Sequence, residues 1–400
     1  MKKVNFVLFH SFERNWFVKS KEELKKLNTH IIKLITEFKN NSLFQNYDFE
    51  FKFLSIINNY KLNHENNILL KTYKVNIFKK LIPLEFSFSL LKEITKISKK
   101  VQNIWHLNTY YYLMFDFVVP LLKFKKQKII AHHRGGGFTW KSSPYTFFQY
   151  YLILPFLLRL VDKIIVQNTY ERDRLINFYK LNKNKIYWIP NGVDTDFFKP
   201  LTQIKKNEFR NKLNIRKEDF VILWVGRIEK SKGANILPLL VSELTKNKIN
   251  FKLVIVGDGP ERNKLIFTFE NFNNIHFSNG QVSKKELKNY FGIADLFIHT
   301  NTNKNYEGSP NVILEAQASS LAAIGFDIPG VQDSIVNGKT GYIIRNKNYF
   351  DFIKKLIYLY NEKNVLKSMK ENSRTHILKN FNIRKLVKKY YDIYEEVYEK

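Results

Sequence analysis

The chain has 400 residues, of which 44% are hydrophobic, and this length favours two domains over one. It contains no cysteine, which excludes disulfides, thiolate metal sites and cysteine nucleophiles and indicates a reducing compartment. The formal net charge of +30 favours anionic partners such as phosphates, nucleic acid or acidic lipid headgroups, although a biased genome rich in Lys, Asn, Ile, Phe and Tyr would produce the same excess.

The first half of the chain alternates short β-branched and aromatic runs with longer amphipathic stretches, which is the pattern of a parallel sheet with crossover helices. The N-terminal run has no small-residue cleavage site and only a short apolar core, so it predicts a strand rather than a signal peptide. Apolar residues at helical spacing predict a helix over 21–40. The predicted strands are Val4–Phe9, Phe51–Ile57, Asn103–His106, Lys128–His132, Lys163–Gln167 and Lys185–Ile189.

The segment from Pro144 to Val161 carries a single charge, Arg159, and approaches the length needed to cross a membrane. Pro155 and the polar Gln149 disfavour a span, so a helix that packs on the N-terminal domain and touches a membrane surface is the better interpretation. With the reducing compartment, this predicts a cytoplasmic protein that could lie peripherally on the inner face of the cell membrane.

A turn at Pro190-Asn191-Gly192 and a polar, lysine-rich stretch from Lys199 to Asp219 indicate the domain boundary. A second series of strands follows, so the same architecture is predicted twice. We predict an N-terminal domain over 1–195, a C-terminal domain over 196–382, and a final basic helix over 383–400 that crosses back to the N-terminal domain. The second series of strands is Phe220–Val225, Phe251–Val256, Ile275–Phe277, Asp295–His299, Leu321–Gly325 and Gly341–Ile344.

Glycine-containing turns follow three strands of the second domain. In a doubly wound sheet, ligands bind at the carboxyl ends of strands, where glycine lets a ligand approach the backbone. Arg227 and Lys232 bracket the loop after the first of these strands, and a guanidinium with an ammonium suits a diphosphate. For either residue alone, a solvated surface cation is the better interpretation in a chain so rich in lysine. The turns are Val225-Gly226-Arg227, Val256-Gly257-Asp258-Gly259-Pro260 and Ser278-Asn279-Gly280, and none has the spacing of a dinucleotide fingerprint.

The stretch from Asn305 to Ala316 predicts a helix whose first turn binds an anion. Ser309 is a good N-cap and Pro310 a good first helical residue, so the N–H groups of the first turn should face the strand ends. Glu315 falls in the second turn, and Glu307 lies on the loop just before the helix. Two carboxylates at different depths of one anion site make little sense for stability alone, so they indicate function.

These motifs occur in the order seen in glycosyltransferase family 4, which the chain resembles tightly from about Asp162 to Ile344 and loosely before that. The resemblance implies an α/β GT-B fold, in which two Rossmann-like, doubly wound parallel-sheet domains face a cleft. One departure is Phe9-His10-Ser11-Phe12-Glu13-Arg14, which replaces the family's early Gly-Gly loop. The motifs that carry the resemblance are Ile189-Pro190-Asn191-Gly192-Val193-Asp194, Gly226-Arg227 with Lys232-Gly233, Val256-Gly257-Asp258-Gly259-Pro260, the Glu307/Glu315 pair and Gly338-Lys339-Thr340-Gly341-Tyr342.

The family resemblance also implies roles for individual residues at a nucleotide-sugar site. Arg227 and Lys232 would grip the donor diphosphate, and Glu315 would accept hydrogen bonds from the ribose. Glu307 would lie beside the donor sugar, and His133, which precedes a run of glycines, would lie near the reacting sugar. His106 also resembles a family position, but a structural role is the expectation there. Further donor contacts would come from Gly226, Gly257, Gly280, Gln281, Val282, Gly308, Ser309, Pro310, Asn311 and Val312.

The expected activity is transfer of a sugar, with retention of configuration, from a nucleoside-diphosphate sugar to a glycan or lipid-linked acceptor in cell-surface polysaccharide or glycolipid synthesis. Fixed cations and helix N–H groups would stabilise the charge of the leaving diphosphate. No acidic cluster of metal-binding type occurs near them, so neither a metal nor a cofactor is expected.

Two alternatives to a glycosyltransferase remain open at this stage. A GT-B nucleotide-sugar epimerase would convert the donor alone to an isomer. A non-catalytic basic protein would bind nucleic acid or acidic membrane with strong salt dependence, and this binding would survive loss of Glu307 and Arg227. The ordered motifs favour the transferase, so no nucleic acid is expected. The basic, aromatic first half of the chain indicates an anionic membrane surface as a further partner.

Overall fold

The computed structural model describes residues 1–9, 30–55, 61–63, 68–74, 76–77, 85–135, 147–303 and 308–399. The chain divides into two compact units, of which unit 1 comprises Met1–Pro190 with Arg384–Lys400 and unit 2 comprises Asn191–Ile383. The first change of unit lies at the Pro190-Asn191 step, where the sequence predicts a turn.

Unit 1 is built on a mainly parallel sheet. Its described strands are β1 (Lys2–Leu8), β2 (Tyr47–Ser55), β3 (Lys61–Asn63), β4 (Leu69–Lys74), β5 (Asn76–Ile77), β6 (Glu85–Phe86), β7 (Ile104–Asn108), β8 (Lys128–His132), β9 (Lys163–Val166) and β10 (Ile186–Trp188). Eight of them form one sheet in the order β10-β9-β8-β7-β1-β2-β4-β3. Its neighbours pair in parallel except for the edge strand β3, while β5 and β6 form a separate antiparallel pair.

Helices cover both faces of this sheet. Along β1, Val4 and Phe6 belong to one hydrophobic cluster and Val7 and Phe9 to another, as expected for a strand buried on both sides. The described helices that precede unit 2 are α1 (His30–Lys39), α2 (Phe88–Thr95), α3 (Leu113–Phe124), α4 (Leu154–Leu160) and α5 (Thr169–Asn177). The part of the predicted helix over 21–40 that precedes α1 lies outside the described residues.

The nearly uncharged segment before β9 is a helix that packs on unit 1. A π-helical stretch, Gln149–Ile153, leads directly into α4, and Pro155 follows it as the second residue of α4, so the irregular turn and the proline occur together. Leu154, Leu157 and Leu158 are buried in the same cluster as α3. Within the described ranges, no helix is both long enough and apolar enough to cross a membrane.

Unit 2 contains a fully parallel six-stranded sheet. Its strands are β11 (Phe220–Val225), β12 (Phe251–Val256), β13 (Ile275–Phe277), β14 (Leu296–His299), β15 (Ala322–Phe326) and β16 (Gly341–Ile344). They pair in the order β13-β12-β11-β14-β15-β16. The winding reverses between β11 and β14, which is the topological switch point of the sheet. The described helices are α6 (Gln203–Lys212), α7 (Leu237–Lys246), α8 (Arg262–Thr268), α9 (Lys284–Ile293), α10 (Asn311–Ala318), α11 (Val331–Ser334), α12 (Tyr349–Asn361) and α13 (Lys363–Asn380). The predicted doubly wound α/β architecture is confirmed.

The lysine-rich stretch before β11 is not a bare linker. It contains α6, whose Phe209 packs edge-on against Tyr290 with ring centroids 5.3 Å apart. Arg210 is buried and donates to the carbonyl oxygen of Ile293 at 2.8 Å. Lys206 adds an ion pair with Asp295 at 3.6 Å, so three residues of an otherwise polar helix attach it to unit 2.

The last helix, α14 (Ile383–Glu399), belongs to the core of unit 1. Tyr390 and Tyr394 lie in the same hydrophobic cluster as β1 and β2. The Tyr394 hydroxyl lies 2.8 Å from Nδ1 of His106, and Lys2 pairs with Glu395 at 2.5 Å. The two ends of the described chain therefore lie together in unit 1.

Candidate active site

The loops that carry the predicted donor residues follow neighbouring strands at the carboxyl edge of the unit 2 sheet, and glycines hold these loops against one another. A Cβ atom on Gly257 would lie 1.9 Å from the carbonyl oxygen of Gly226, and Gly257 has a φ of +140°. A Cβ atom on Gly233 would lie 2.0 Å from the carbonyl oxygen of Thr300. Because no other residue permits such approaches, the loops after β12, β11 and β14 are fixed in direct contact at the switch point.

The two predicted diphosphate cations lie on the loop after β11. Arg227 is exposed, and its Nε lies 3.1 Å from a carboxylate oxygen of Glu229. Lys232 is half-buried, and its carbonyl oxygen accepts a hydrogen bond from Oγ1 of Thr300 at 3.2 Å. Thr300 in turn accepts from the indole N–H of Trp224 at 2.8 Å, so the Lys232 backbone is tied to the interior of the sheet.

The helix at the predicted anion site, α10, begins one residue later than expected. Pro310 is the N-cap and Asn311 the first helical residue, so the prediction of Ser309 as N-cap was wrong. The Ser309 hydroxyl instead accepts the backbone N–H of Asn191 at 3.2 Å, and the Asn191 side chain donates to the Ser309 carbonyl at 3.0 Å. The serine side chain is thus turned toward the Pro190-Asn191 turn and cannot cap the helix.

The first turn of α10 retains the features of an anion site. The N–H groups of Ile313 and Leu314 both donate to the Pro310 carbonyl, while those of Asn311 and Val312 have no acceptor within the helix. A Cβ atom on Gly330, in the loop after β15, would lie 2.6 Å from the carbonyl oxygen of Gly308. That contact fixes the segment from which the helix starts.

The remaining predicted donor residues are the two carboxylates and the residues expected to flank the base. Glu315 is half-buried in the second turn of α10, whereas Glu307 lies outside the described residues. Gly280 has a left-handed φ of +65°, and after it Gln281 is exposed and Val282 half-buried. The Ser278 hydroxyl accepts the Gly257 N–H at 3.1 Å and donates to the Gly280 carbonyl at 2.8 Å, which joins the loops after β12 and β13.

Sequence reasoning missed the residues that connect these loops. Ser278, Thr300 and Gly330 were not among the predicted donor residues, but each contacts a loop that carries some of them. Only Gly330 carried a local signal, because the Pro329-Gly330 dipeptide is typical of a turn. Ser278 and Thr300 contact partners in other loops, which no local pattern reveals.

In unit 1, the predicted site residue His133 follows β8 at the carboxyl edge of the sheet. It is buried, and its backbone N–H donates to the carbonyl oxygen of Ile165 at 2.8 Å. Its ring lies between those of Tyr110 and Tyr111, with centroids 5.5 and 5.4 Å away. The imidazole therefore occupies a fixed aromatic position, and the glycines Gly136 and Gly137 that follow it lie outside the described residues.

A buried charged group accompanies His133. Glu171 accepts hydrogen bonds from the Tyr111 hydroxyl and from Nε of Arg174, both at 2.8 Å, and it also contacts the Tyr110 hydroxyl. Burial alone would raise the pKa of the Glu171 carboxyl, but His133 and Arg174 outweigh it and the pKa falls to about 2. Glu171 is therefore ionised at neutral pH, and its charge is balanced inside unit 1.

The second histidine singled out by the sequence fits a structural role. His106 is fully buried between the Tyr394 hydroxyl and Nδ1 of His132, each 2.8 Å away. Burial, with a smaller contribution from Arg134, holds its pKa well below the usual value. In the part of the chain that the structure describes, no cluster of three or more His, Asp or Glu residues is placed to hold a metal ion.

Two family models match consecutive parts of the chain. The model for Glycosyltransferase Family 4 matches residues 58–197, and the model for Glycosyl transferases group 1 matches residues 205–376. The chain belongs to glycosyltransferase family 4. Together the models cover both units, and the second contains the whole set of interlocked loops from Gly226 to Gly330.

Relatives within family 4 are distant. An Escherichia coli protein named UDP-Gal:alpha-D-GlcNAc-diphosphoundecaprenol alpha-1,3-galactosyltransferase is 30% identical over 247 residues, which cover 60% of this chain and 61% of that protein. The Staphylococcus aureus capsular polysaccharide biosynthesis glycosyltransferase CapM is 23% identical over 248 residues, covering 60% and 62%. The chain thus matches less than two thirds of the length of either relative.

The fold of this family 4 chain extends over its whole length. A glycosyltransferase from Rickettsia africae superposes with a TM-score of 0.74 at 20% identity, covering 100% of this chain and 99% of that one. At this identity the likeness shows the fold alone, which is the GT-B fold.

Proposed function

We propose that the protein transfers a sugar from a nucleoside-diphosphate sugar to a glycan or lipid-linked acceptor, with retention of configuration, in cell-surface polysaccharide or glycolipid synthesis. The observation that carries the proposal is the interlocked set of loops at the unit 2 switch point. It combines a two-cation loop with the start of α10, and both features suit a diphosphate. The names of the E. coli and S. aureus relatives support a nucleotide-sugar donor and a polysaccharide product.

The donor diphosphate would interact with Arg227, Lys232 and the N–H groups of Asn311 and Val312. When the bond between the anomeric carbon and the diphosphate breaks, the electron pair passes to the phosphate oxygen, and these fixed donors stabilise the new charge without reorganising. Glu229, which pairs with Arg227 in the described state, would hold the guanidinium in place until the diphosphate arrives. The cations would thereby take the part that a divalent metal has in other transferases.

The remaining roles concern the sugar and the nucleoside. Glu315 would accept hydrogen bonds from the ribose, and Gly257 with the Gly280-Gln281-Val282 turn would flank the base. Glu307 would orient the donor sugar, without acting as a nucleophile, and His133 would lie near the reacting carbon. The acceptor oxygen would bond to the anomeric carbon on the face from which the diphosphate leaves, and the hydroxyl proton would pass to the departing phosphate oxygen. We place this reaction in the cytoplasm, where nucleotide-sugars are the co-substrates and no cofactor is required.

A thermal-shift panel tests the donor assignment. Nucleoside diphosphates and their sugars at about 100 times the dissociation constant should stabilise the protein by about 2.7 kcal/mol, a clear rise in melting temperature. Arg227→Ala with Lys232→Ala should abolish that rise. The matched control, Lys246→Ala with Lys354→Ala, removes two exposed helix lysines and should retain it. The assignment fails if no nucleotide raises the melting temperature or if the first pair retains the shift.

The stereochemical part needs a separate measurement. Once a donor is known from the panel, NMR of the first-formed product gives its anomeric configuration. The same anomer as in the donor supports retention, and the opposite anomer contradicts it while leaving the donor site intact.

A further inference from the structure

Three described helical segments of unit 1 present large apolar side chains to solvent on the same side of the sheet. The segments are α2, α3 and the continuous helix 147–160, and their inner residues all belong to one hydrophobic cluster. Their outer side chains therefore point away from the sheet in a common direction. Six of these side chains, which we call the aromatic face, are between 48% and 64% exposed: Phe88, Phe117, Phe124, Phe148, Leu152 and Phe156.

The aromatic face is continuous because α3 and the helix 147–160 run side by side. At one end Nε2 of Gln149 donates to the Asp116 carboxylate at 2.8 Å, and at the other Lys123 pairs with Asp162 at 2.9 Å. These two polar links fix both the direction and the register of the pair.

Aromatic contacts and helical spacing complete the surface. The ring of Phe86 lies 4.9 Å from that of Phe88 and 5.2 Å from that of Phe117, which joins α2 to α3. Along the other helix, Phe148, Leu152 and Phe156 follow one another at intervals of four residues and so form one stripe. Soluble proteins rarely leave a connected apolar surface of this kind without a partner.

Cations border the aromatic face. The ammonium of Lys99 lies 3.8 Å from the centre of the Phe124 ring. Arg159 is exposed one turn beyond Phe156, and its guanidinium is held by the carbonyl oxygens of Pro155 and Tyr179 at 2.9 and 2.8 Å. The helix from 147 to 160 contains no acidic residue.

Arg159 also lines a pocket of about 510 Å³ at the end of the stripe. The pocket contains four cationic side chains, those of Lys128, Arg159, Lys163 and Lys185, and one carboxylate, that of Asp162. Burial lowers the pKa of Lys185, and the neighbouring Lys123 and Lys163 add to this effect while Asp162 opposes it. Lys163 is itself paired with Glu396. An incoming phosphate would relieve this crowding of positive charge.

We propose that the aromatic face docks unit 1 on the surface of an anionic phospholipid bilayer, with its apolar side chains in the lipid interface and a lipid phosphate in the Arg159 pocket. An apolar stripe that ends in a cationic pocket matches the order of acyl chain and phosphate in a phospholipid, and the net charge of +30 attracts the same surface. The inference deepens the proposed function, on which it rests for the lipid-linked acceptor, because such an acceptor is held in a bilayer.

Vesicle flotation with the full chain tests the proposal. The protein should float with phosphatidylcholine vesicles that contain phosphatidylglycerol. Phe148→Gln with Leu152→Gln and Phe156→Gln should lower the partition coefficient at least about tenfold, since three apolar side chains no longer enter the interface. The matched control is Phe267→Gln with Phe350→Gln, two phenylalanines of unit 2 that are 72% and 75% exposed, and it should float like the unmodified protein.

The phosphate pocket has its own variant. Arg159→Gln with Lys185→Gln should lower about tenfold the ratio of the partition coefficients for phosphatidylglycerol-containing and pure phosphatidylcholine vesicles. The circular dichroism spectrum should stay the same. Equal flotation of this variant and the unmodified protein on both vesicle types overturns the assignment of the pocket.

Other outcomes overturn the docking surface itself. The first is that the unmodified protein stays in the dense fraction, and the second is that the triple variant floats as well as the unmodified protein. The third is that the unmodified protein is a dimer and the triple variant a monomer. The assay contains neither donor nor acceptor. If the protein floats but nucleotides give no thermal shift, only the proposed function is contradicted. If nucleotides give a thermal shift but the protein does not float, only the docking surface is contradicted.

Discussion

The loops at the carboxyl edge of the sheet are fixed by different means in unit 1 and in unit 2. In unit 2, glycine contacts and the start of α10 fix the loops through the backbone, and the cations Arg227 and Lys232 lie on the outer side of that framework. In unit 1, the edge around His133 is fixed by buried side chains, above all the Glu171–Arg174 pair. A backbone framework leaves N–H groups and charge for a ligand, whereas a side-chain network uses its charges internally. The comparison therefore favours unit 2 for the proposed diphosphate binding and gives unit 1 a rigid edge.

The largest effect is expected from Glu171→Gln, which leaves the Arg174 guanidinium, whose side chain is only 14% exposed, without its counter-charge. Breaking such a pair costs about 3–5 kcal/mol, so the free energy of unfolding of unit 1 should fall by that amount in urea titrations. The control on the same helix is Asp173→Asn, whose exposed pair with Arg172 should change it by less than about 1 kcal/mol. Comparable losses in the two variants would show that the unit 1 edge does not depend on buried charge.

The pH dependence of stability tests the same network. The carboxyl of Glu171 has a pKa of about 2 in the folded state against an ordinary 4.5. Its contribution, about 3 kcal/mol, is complete above pH 4.5 and is lost as the pH falls toward 2. Glu171→Gln should flatten the decline only in part, because Glu50, beside Lys52 and Lys3, also has a pKa of about 2. A decline of unchanged slope in Glu171→Gln contradicts the assignment.

Two glycines with the same φ of +76° offer a test of the backbone framework in unit 2. Alanine at either position costs about 1–2 kcal/mol from the left-handed backbone. At Gly233 the new Cβ also displaces the Thr300 carbonyl, whereas at Gly338 it meets nothing within 4 Å. Gly233→Ala should therefore be the less stable variant and should also weaken nucleoside-diphosphate binding in calorimetry, while Gly338→Ala binds normally. Equal effects on binding would remove the role assigned to the loop contact.

The smallest effect is expected from Ser309→Ala. The Asn191 N–H loses its acceptor, which costs about 1 kcal/mol of unfolding free energy, and the start of α10 becomes less well fixed. Binding of the diphosphate should weaken severalfold by calorimetry. Ser319→Ala, at the other end of the same helix, removes only a bond to the Glu315 carbonyl and should leave binding as it was.

The sequence predicted the parts of the fold that rest on local patterns. Strands β8, β11, β12, β13 and β16 begin and end where they were predicted, because each is an apolar run bounded by turn residues. Strand β4 was missed, since the lysines at 71 and 74 break its apolar character. Helix α6 was not predicted, because the stretch that contains it is polar and the partners of Phe209 and Arg210 lie far along the chain.

The same distinction holds for the candidate site. Glycine turns and helix starts are short motifs, so the turns at Gly226 and Gly257 could be located from the sequence. The start of α10 could be located within one residue. The unit 1 network could not be located, because Tyr111, His133 and Arg174 are far apart along the chain and meet only after the sheet has formed.

The position of α14 bears on how the protein is made. Its residues are the last of the described chain to leave the ribosome, yet Tyr390 and Tyr394 fill the cluster that Phe38 and Phe44 line. Unit 2 is then synthesised in full while unit 1 still has an uncovered side, which makes the interval before α14 emerges the time of greatest exposure to aggregation or chaperone capture. A rearranged gene that places α14 ahead of β1, as the pairing of Lys2 with Glu395 permits, should shorten that interval.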